Sequence, residues 1–303
     1  VADLLVVGSV ALDNVATPFG RAQDVLGGSA TYFSYAASFF TQVHVVATVG
    51  EDFPDEHVRL LKDRGVDLGG LTIARGRTFR WTGEYGYDLN EARTLDTQLN
   101  VFADFRPRLA SDVRRVPYLF LANIDPDLQL DVLHQMADRP RLVALDTMNF
   151  WIQGKRDALV RALGEVDVVT INDGEARQLA REPTLVKAAR TIASMGPKTV
   201  VVKRGEYGAL MICDGVFFIV PAFPLESVYD PTGAGDTFAG GFMGYLAAQD
   251  RIDAATLRRA LVYGSVMASF TVEDFSLRRL TRLRPDEIAE RYRAFHDLIR
   301  LEP

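Results

Sequence analysis

Apolar residues fall along the chain in short dense runs separated by stretches with helical spacing. Six runs are continuous and rich in β-branched residues: "LLVVGS" (4–9), "VHVVATVG" (43–50), "YLFLAN" (118–123), "RLVALD" (141–146), "VDVVTIN" (166–172) and "TVVVKRG" (199–205). Strands that are apolar at nearly every position are covered on both faces, as in a parallel sheet between two layers of helices. Between them, residues 29–40, 54–65, 126–138, 155–164 and 173–183 carry helical spacing, and 254–274 and 284–300 close the chain as amphipathic helices. The repeat of strand, helix, strand predicts an α/β fold: a doubly wound, mostly parallel sheet flanked by helices. With no linker or internal repeat in 303 residues, the pattern reads as a single domain over 1–303. Such sheets bind ligands at the carboxyl ends of their strands, where Asn123, Asp125, Asp146, Asn149, Asn172 and Glu175 fall.

From Thr78 to Tyr87 the period changes to two, with Phe79, Trp81, Gly83, Tyr85 and Tyr87 on one side and Arg80, Thr82, Glu84 and Gly86 on the other. This alternation belongs to a ribbon with one covered face. It predicts a small β lid, formed mainly by about 72–101 with about 12–22, folded over one edge of the domain. Its aromatic side packs either on the core or a partner subunit, giving a homodimer through the lid, or over a bound molecule.

Composition narrows the partners. The chain is 48% hydrophobic and 24% charged with a net charge of -6, so it has no basic surplus for nucleic acid. Every apolar run is shorter than the roughly 18 residues that cross a bilayer. No basic segment with a cleavage site precedes "DLLVVGS", so neither membrane insertion nor secretion is expected. Cys213 is the single cysteine, which excludes an internal disulfide and leads us to expect the cytoplasm. His44, His57, His134 and His296 are scattered without metal-ligand spacing.

The densest chemistry is "DPTGAGDTFAGG" (230–241). Glycines 233 and 235 allow a tight turn directly before a predicted helix over 236–249, whose unpaired amides and partial positive charge form an anion site. Asp236 in the first turn is either a reactive acid or a residue that complements the helix dipole. A Walker loop is excluded, because the one Gly-Lys pair, Gly154-Lys155, precedes Arg156 and lacks the earlier glycine. A dinucleotide fingerprint fails at its third place, where Phe238 stands.

Together with "GSVALDN" (8–14), "GGSA" (27–30), "INDGEA" (171–176) and "VKRGEYGA" (202–209), this loop resembles the signatures of the ribokinase-like, or phosphofructokinase-B, family of carbohydrate and nucleoside kinases, in order and over essentially the whole chain. The resemblance implies a ribokinase-like fold in which the amides of Gly233, Ala234 and Gly235 form an anion hole and Asp236 is the catalytic base. It implies substrate contacts from Asp13, Gly27 and Gly28, with Tyr32 standing where many members carry an asparagine, and Asn100 at the end of the ribbon as a further contact. ATP would meet Asn172, Lys203, Gly205 and Gly208, with Gly264, Ala268 and Ser269 along an adenine pocket. Mg2+ would be held through water by Asn172 and Glu175, and Asp230 and Ser276 fall where some members bind a monovalent cation such as K+. Asn149 matches a phosphate-side asparagine, although Trp151 replaces an arginine often found nearby. Each position also has a plain structural reading: helix cap for Asn172, turns for Asp13, Asp230 and the glycines, close helix packing for Gly264 and Ala268.

The function implied is transfer of the γ-phosphoryl group of ATP to a hydroxyl of a small sugar, polyol or nucleoside. Tyr32 argues against pentose recognition copied from ribokinase, and its ring, with Phe79, Trp81 and Tyr85, would suit stacking on a nucleobase, closing over a hydrophobic ring face, or equally packing within the protein. A binding sensor of the same fold without turnover, and a nucleotide-dependent dehydrogenase, are the alternatives.

Overall fold

The computed structural model describes residues 1–300. Its strands are β1 (Leu4–Val7), β2 (Ala11–Thr17), β3 (Gly20–Gly27), β4 (Val43–Gly50), β5 (Asp67–Ala74), β6 (Arg80–Tyr85), β7 (Ala92–Gln98), β8 (Tyr118–Leu121), β9 (Leu142–Asp146), β10 (Val168–Asn172), β11 (Thr199–Lys203), β12 (Ala209–Cys213) and β13 (Val216–Val220). The helices are α1 (Ser29–Ala37), α2 (Asp55–Asp63), α3 (Pro126–Gln135), α4 (Asn149–Gly154), α5 (Arg156–Leu163), α6 (Asp173–Ala180), α7 (Leu185–Ala193), α8 (Ala234–Gln249), α9 (Ala254–Thr271), α10 (Arg278–Thr281) and α11 (Pro285–Leu298).

Nine strands form one sheet in the order β13-β12-β11-β10-β9-β8-β1-β4-β5. From β5 to β11 every pairing is parallel, and the β11-β12-β13 meander adds an antiparallel edge. The two-residue period of a strand sends alternate side chains to opposite layers. Leu4, Val6, Tyr118 and Phe120 pack among residues of α1, α8 and α9, while Leu5, Val7, Leu119 and Leu121 pack among those of α3, α5, α6 and α7. The strand order reverses around β1, flanked by β4 and β8, and the crevice of a doubly wound sheet opens at such a point.

A second sheet has the order β3-β2-β6-β7, with β2 and β6 parallel and the outer pairs antiparallel. It is held by Val15, Ala22 and Phe275, against which Trp81 and Tyr85 pack. The boundaries expected for the lid need correction in both segments: Thr72–Ala74 belong to β5 and pair with β4 at the edge of the large sheet. The small sheet also takes in all of β3 as far as Gly27. Tyr87 lies beyond β6 and is fully open to solvent, so the covered face of the ribbon ends at Tyr85. Among the described residues no helix is long and apolar enough to cross a membrane.

Candidate active site

The loop between β13 and α8 turns at Gly233, whose φ of 74° is left-handed and costs a residue with a Cβ about 1–2 kcal/mol. The amides of the first helical turn then lack intrahelical acceptors. Ala234 is an exception to the expected cradle, because its N–H donates to the Pro231 carbonyl at 3.1 Å. Among the described residues the free amides are those of Gly233, Gly235 and Asp236. Asp236 is partly exposed and makes no ion pair or side-chain hydrogen bond. Desolvation, then the negative charge of Asp146, pushes its carboxyl up to about 7, with Lys203 opposing.

Three neighbouring strand ends complete this side of the cleft. Lys203 closes β11 and its Nζ donates to Asp146 Oδ2 at the end of β9, 2.8 Å away. A methyl carbon placed on Gly235 would lie 3.1 Å from that ammonium, so the lysine sits against the anion loop. Between them, β10 ends in a capping box: Asn172 Oδ1 accepts the Glu175 amide at 2.7 Å and Glu175 Oε2 accepts the Asn172 amide at 2.9 Å. Asn172 is thus the helix cap that the plain structural reading foresaw, which satisfies two donors of α6 at once. Burial raises the Glu175 carboxyl to about 7. Asp146 takes part in the site although its sequence signal was only that of a polar strand end.

On the opposite wall, Asp13 of β2 is buried at 4% exposure, and a methyl carbon on Gly27 would lie 1.9 Å from its Oδ2. Gly27 is therefore the space that admits the carboxylate. Gly28, with φ 94°, caps α1, and a side chain there would meet the Ser9 carbonyl at 2.5 Å. Burial, then the charges of Asp230 and Asp236, raises Asp13 to about 8.

Of the uses read for the Tyr32 ring, the structure shows packing and not stacking on a ligand. Its ring is 1% exposed, and a methyl carbon on Gly233 would come within 2.4 Å of it, so the ring is the floor of the anion loop. Its hydroxyl is buried without a partner. Phe79 stacks on Phe102 with centroids 5.4 Å apart, and Trp81 covers Gly83 and donates from Nε1 to Thr94 Oγ1 at 3.2 Å, so these rings also pack within the protein. Of the ribbon's rings, Tyr85 reaches the loop, its hydroxyl accepting from Thr232 Oγ1 at 3.3 Å.

Asp230 and Ser276 are neighbours, as expected. The Asp230 carboxylate accepts the Thr232 amide at 2.9 Å and the Ser276 amide at 3.3 Å, while Ser276 Oγ donates to the Leu26 carbonyl at 2.5 Å. Asn100 Nδ2 donates to the Thr78 carbonyl at 2.9 Å, fastening the foot of the lid. Gly264 meets Phe238, whose carbonyl would lie 2.9 Å from a methyl carbon there, and Ser269 Oγ accepts from Arg291 at 3.1 Å; both serve helix packing. Ala268 packs on the same apolar layer. Asn149 is exposed at the start of α4, and Trp151 Nε1 donates to Asn123 Oδ1 at 3.0 Å.

Gly205 (φ 53°) and Gly208 (φ 86°) form the tight turn between β11 and β12. The tip of the lid touches this turn. Asn90 Oδ1 accepts the Glu206 amide at 3.3 Å and Asn90 Nδ2 donates to Glu206 Oε1 at 3.4 Å, so the lid bridges the cleft to the Lys203 side.

The result is a cleft with free amides, one fixed ammonium and an unpaired carboxylate of raised basicity, suited to an anion beside a hydroxyl that loses its proton. Comparison with known proteins agrees. Residues 3–281 match the family described as pfkB family carbohydrate kinase. The cytidine kinase of Thermococcus kodakarensis is 31% identical over 254 residues, 80% of this chain and 87% of that protein. The nucleoside kinase of Methanothermobacter thermautotrophicus is 27% identical over 90% of each chain. A putative ribokinase II from E. coli, solved with ATP and Mg2+, superposes with a TM-score of 0.79 at 20% identity, covering 97% of this chain and 100% of that one. Family match, fold and the chemistry of the cleft converge, and the chain belongs to the pfkB family of carbohydrate kinases, phosphotransferases that carry a phosphoryl group from ATP to an alcohol.

Proposed function

We propose that the acceptor is a nucleoside, phosphorylated on a hydroxyl of its sugar, with ATP as donor. The unpaired Asp236 carboxylate beside the free amides of Gly233 and Gly235 is the observation that carries the reaction; the near full-length similarity to two nucleoside kinases carries the acceptor. Asp13, at about 8, is mostly protonated at neutral pH and both donates to and accepts from hydroxyls of the sugar.

Phosphoryl transfer passes through a loose transition state, so the protein's contribution is alignment and charge stabilisation. Asp236 orients the acceptor hydroxyl and takes its proton as the new O–P bond forms. The bond from the γ-phosphorus to the bridging oxygen breaks, and ADP leaves with that electron pair. The amides of Gly233, Gly235 and Asp236 face the charge that builds on the migrating group.

The family uses a divalent metal with ATP, and Asn172 and Glu175 fit Mg2+ held through water. One oxygen of Glu175 is committed to the Asn172 amide and the other accepts no hydrogen bond among the described residues. No set of three ligating side chains lies close enough among them to chelate an ion directly, which suits a metal that keeps its waters. When bound, the ion neutralises charge on the phosphates. Asp230 already accepts two backbone amides, so we assign Asp230 and Ser276 to the turn and leave a monovalent cation out of the mechanism. The exposed strand β7 supplies the surface for a dimer through the lid, which sedimentation tests.

Release of ADP with a panel of nucleosides, sugars and inositols tests the reading. Turnover should be fastest with a nucleoside and collapse in Asp236→Asn. A sugar or inositol turned over faster than every nucleoside would replace the acceptor, and undiminished turnover in Asp236→Asn would remove the base.

A further inference from the structure

Lys203 is one cation among three carboxylates. Asp146, Glu175 and Asp236 all act on its charge, and among the described residues only Asp146 lies within ion-pair distance, at 2.8 Å. The carboxylate of Asp146 is itself fixed. It is 3% exposed, and its two oxygens are divided, with Oδ1 accepting the Thr147 amide at 2.8 Å and Oδ2 holding the ammonium. A lysine ammonium has three donors on a flexible stem. With one donor spent on Asp146, the remaining two are available beside Gly235, where a methyl carbon would lie 3.1 Å away.

We infer that Asp146 is a positioning residue that moors the Lys203 ammonium at the phosphate cradle and keeps it from pairing with Asp236. Two consequences follow from the same contact. The β- and γ-phosphates of ATP meet a fixed positive charge next to the free amides, which strengthens each charge-assisted hydrogen bond because no side-chain freedom is lost on binding. The base also stays unpaired. Without Asp146 the other two carboxylates acting on the ammonium are Glu175 and Asp236, and a Lys203–Asp236 ion pair would hold the acid in its charged, weakly basic form. The mooring joins β9 to β11 across β10, with both partners at strand ends.

The inference rests on the kinase reading, and a double-mutant cycle separates the two. Binding of ATP with magnesium and of AMP is measured by calorimetry for wild type, Asp146→Asn, Lys203→Met and the double variant. Lys203→Met should weaken ATP by about 10- to 100-fold, the scale of a charge-assisted hydrogen bond, and leave AMP, which lacks the β- and γ-phosphates, within about twofold. Asp146→Asn, which keeps an acceptor for the Thr147 amide, should weaken ATP by about tenfold and add nothing to the loss in Lys203→Met, because it acts only through the lysine. Additive losses, or equal weakening of AMP and ATP, would overturn the mooring. If Asp146→Asn does not fold, Asp146→Ser, which keeps a short oxygen acceptor beside the Thr147 amide, takes its place in the cycle: a loss of ATP affinity that vanishes in the Lys203→Met background supports the mooring, and a loss that persists there rejects it. A wild-type protein that binds no ATP would end the kinase reading itself, whereas one that binds ATP without this coupling ends the mooring alone.

Discussion

The ring of Tyr32 lies flat beneath Gly233, so close that a methyl carbon on the glycine would fall within 2.4 Å of it. Two residues about two hundred positions apart thereby shape one turn. The glycine's missing side chain and its φ of 74° are both required, the first by the ring and the second by the entry into α8.

Gly233→Ala should therefore fail on both counts. The left-handed backbone and the overpacked ring together cost about 2–4 kcal/mol. Thermal melting should drop by several degrees, and kcat should fall because the amides no longer converge. A variant with wild-type melting and wild-type kcat would show that the ring and the turn adjust freely.

Tyr32→Phe separates the ring from its hydroxyl. The ring is kept, and a buried donor without a partner, a burden of about 1–3 kcal/mol, is removed. The unliganded variant should melt higher by about 2 °C or more. If the hydroxyl is satisfied by the acceptor, acceptor KM should rise while the KM for ATP holds. A lower melting temperature would mean that the hydroxyl has a partner in solution.

The acid limb of activity follows from the direction of the Asp236 shift. Its carboxyl is raised to about 7, first by desolvation and then by Asp146, and the active form is the anion. The value of kcat/KM should fall as pH drops through about 7, with Glu175 titrating in the same interval, so both carboxyls contribute to the limb. Lys203→Met removes the opposing positive charge and should move the limb to higher pH. Asp236→Asn should lower kcat by about 10²- to 10⁴-fold. A limb centred near pH 4 would indicate an Asp236 carboxyl with ordinary solvation.

Stability of the unliganded protein should carry the opposite sign from that of most carboxylates. Asp13, pushed up to about 8 by burial, holds its proton more tightly in the folded protein than an aspartate does at its ordinary value of 3.8 in the unfolded chain. Its folded form is favoured at low pH, and that advantage is lost as pH rises from about 4 through about 8. Asp13→Asn, which cannot ionise, should flatten the fall in melting temperature between pH 6 and pH 8.5. The wild-type slope persisting in the variant would place the titration elsewhere.

The lid tip supplies a last test. Asn90 joins the lid to the Glu206 turn beside Lys203. Asn90→Ala should raise KM for both the acceptor and ATP, by up to about tenfold for two long, exposed hydrogen bonds, one to a backbone amide and one to a carboxylate, with kcat little changed. An effect confined to one substrate would reject a bridge across the cleft.

Much of this architecture was legible in periodicity. Runs such as 118–121 and 168–172 are apolar at nearly every position because both their faces are covered, and no tertiary knowledge is needed to see that. The strand β7, "ARTLDTQ", was poorly legible, since all its residues are exposed and it has no apolar face to alternate. The small sheet was foreseen in its aromatic strand and misplaced at two boundaries, where β5 is half-polar at the edge of the large sheet and where β3 runs on to Gly27.

The chain order alone determined the chemistry at the helix start: glycines that open a turn, an acid in the first turn, and amides without acceptors. The turn also spends the Ala234 amide on the Pro231 carbonyl three residues earlier, a local contact that the glycine spacing did not reveal. Only the tertiary structure set Asp146 beside Lys203, 57 positions apart, and placed the Tyr32 ring as a floor beneath the turn. The physical reason is range. Turn geometry and helix polarity are local properties of a few successive residues, whereas a carboxylate's partner, its solvation and the space around a ring are fixed by whichever strand or helix the fold brings alongside.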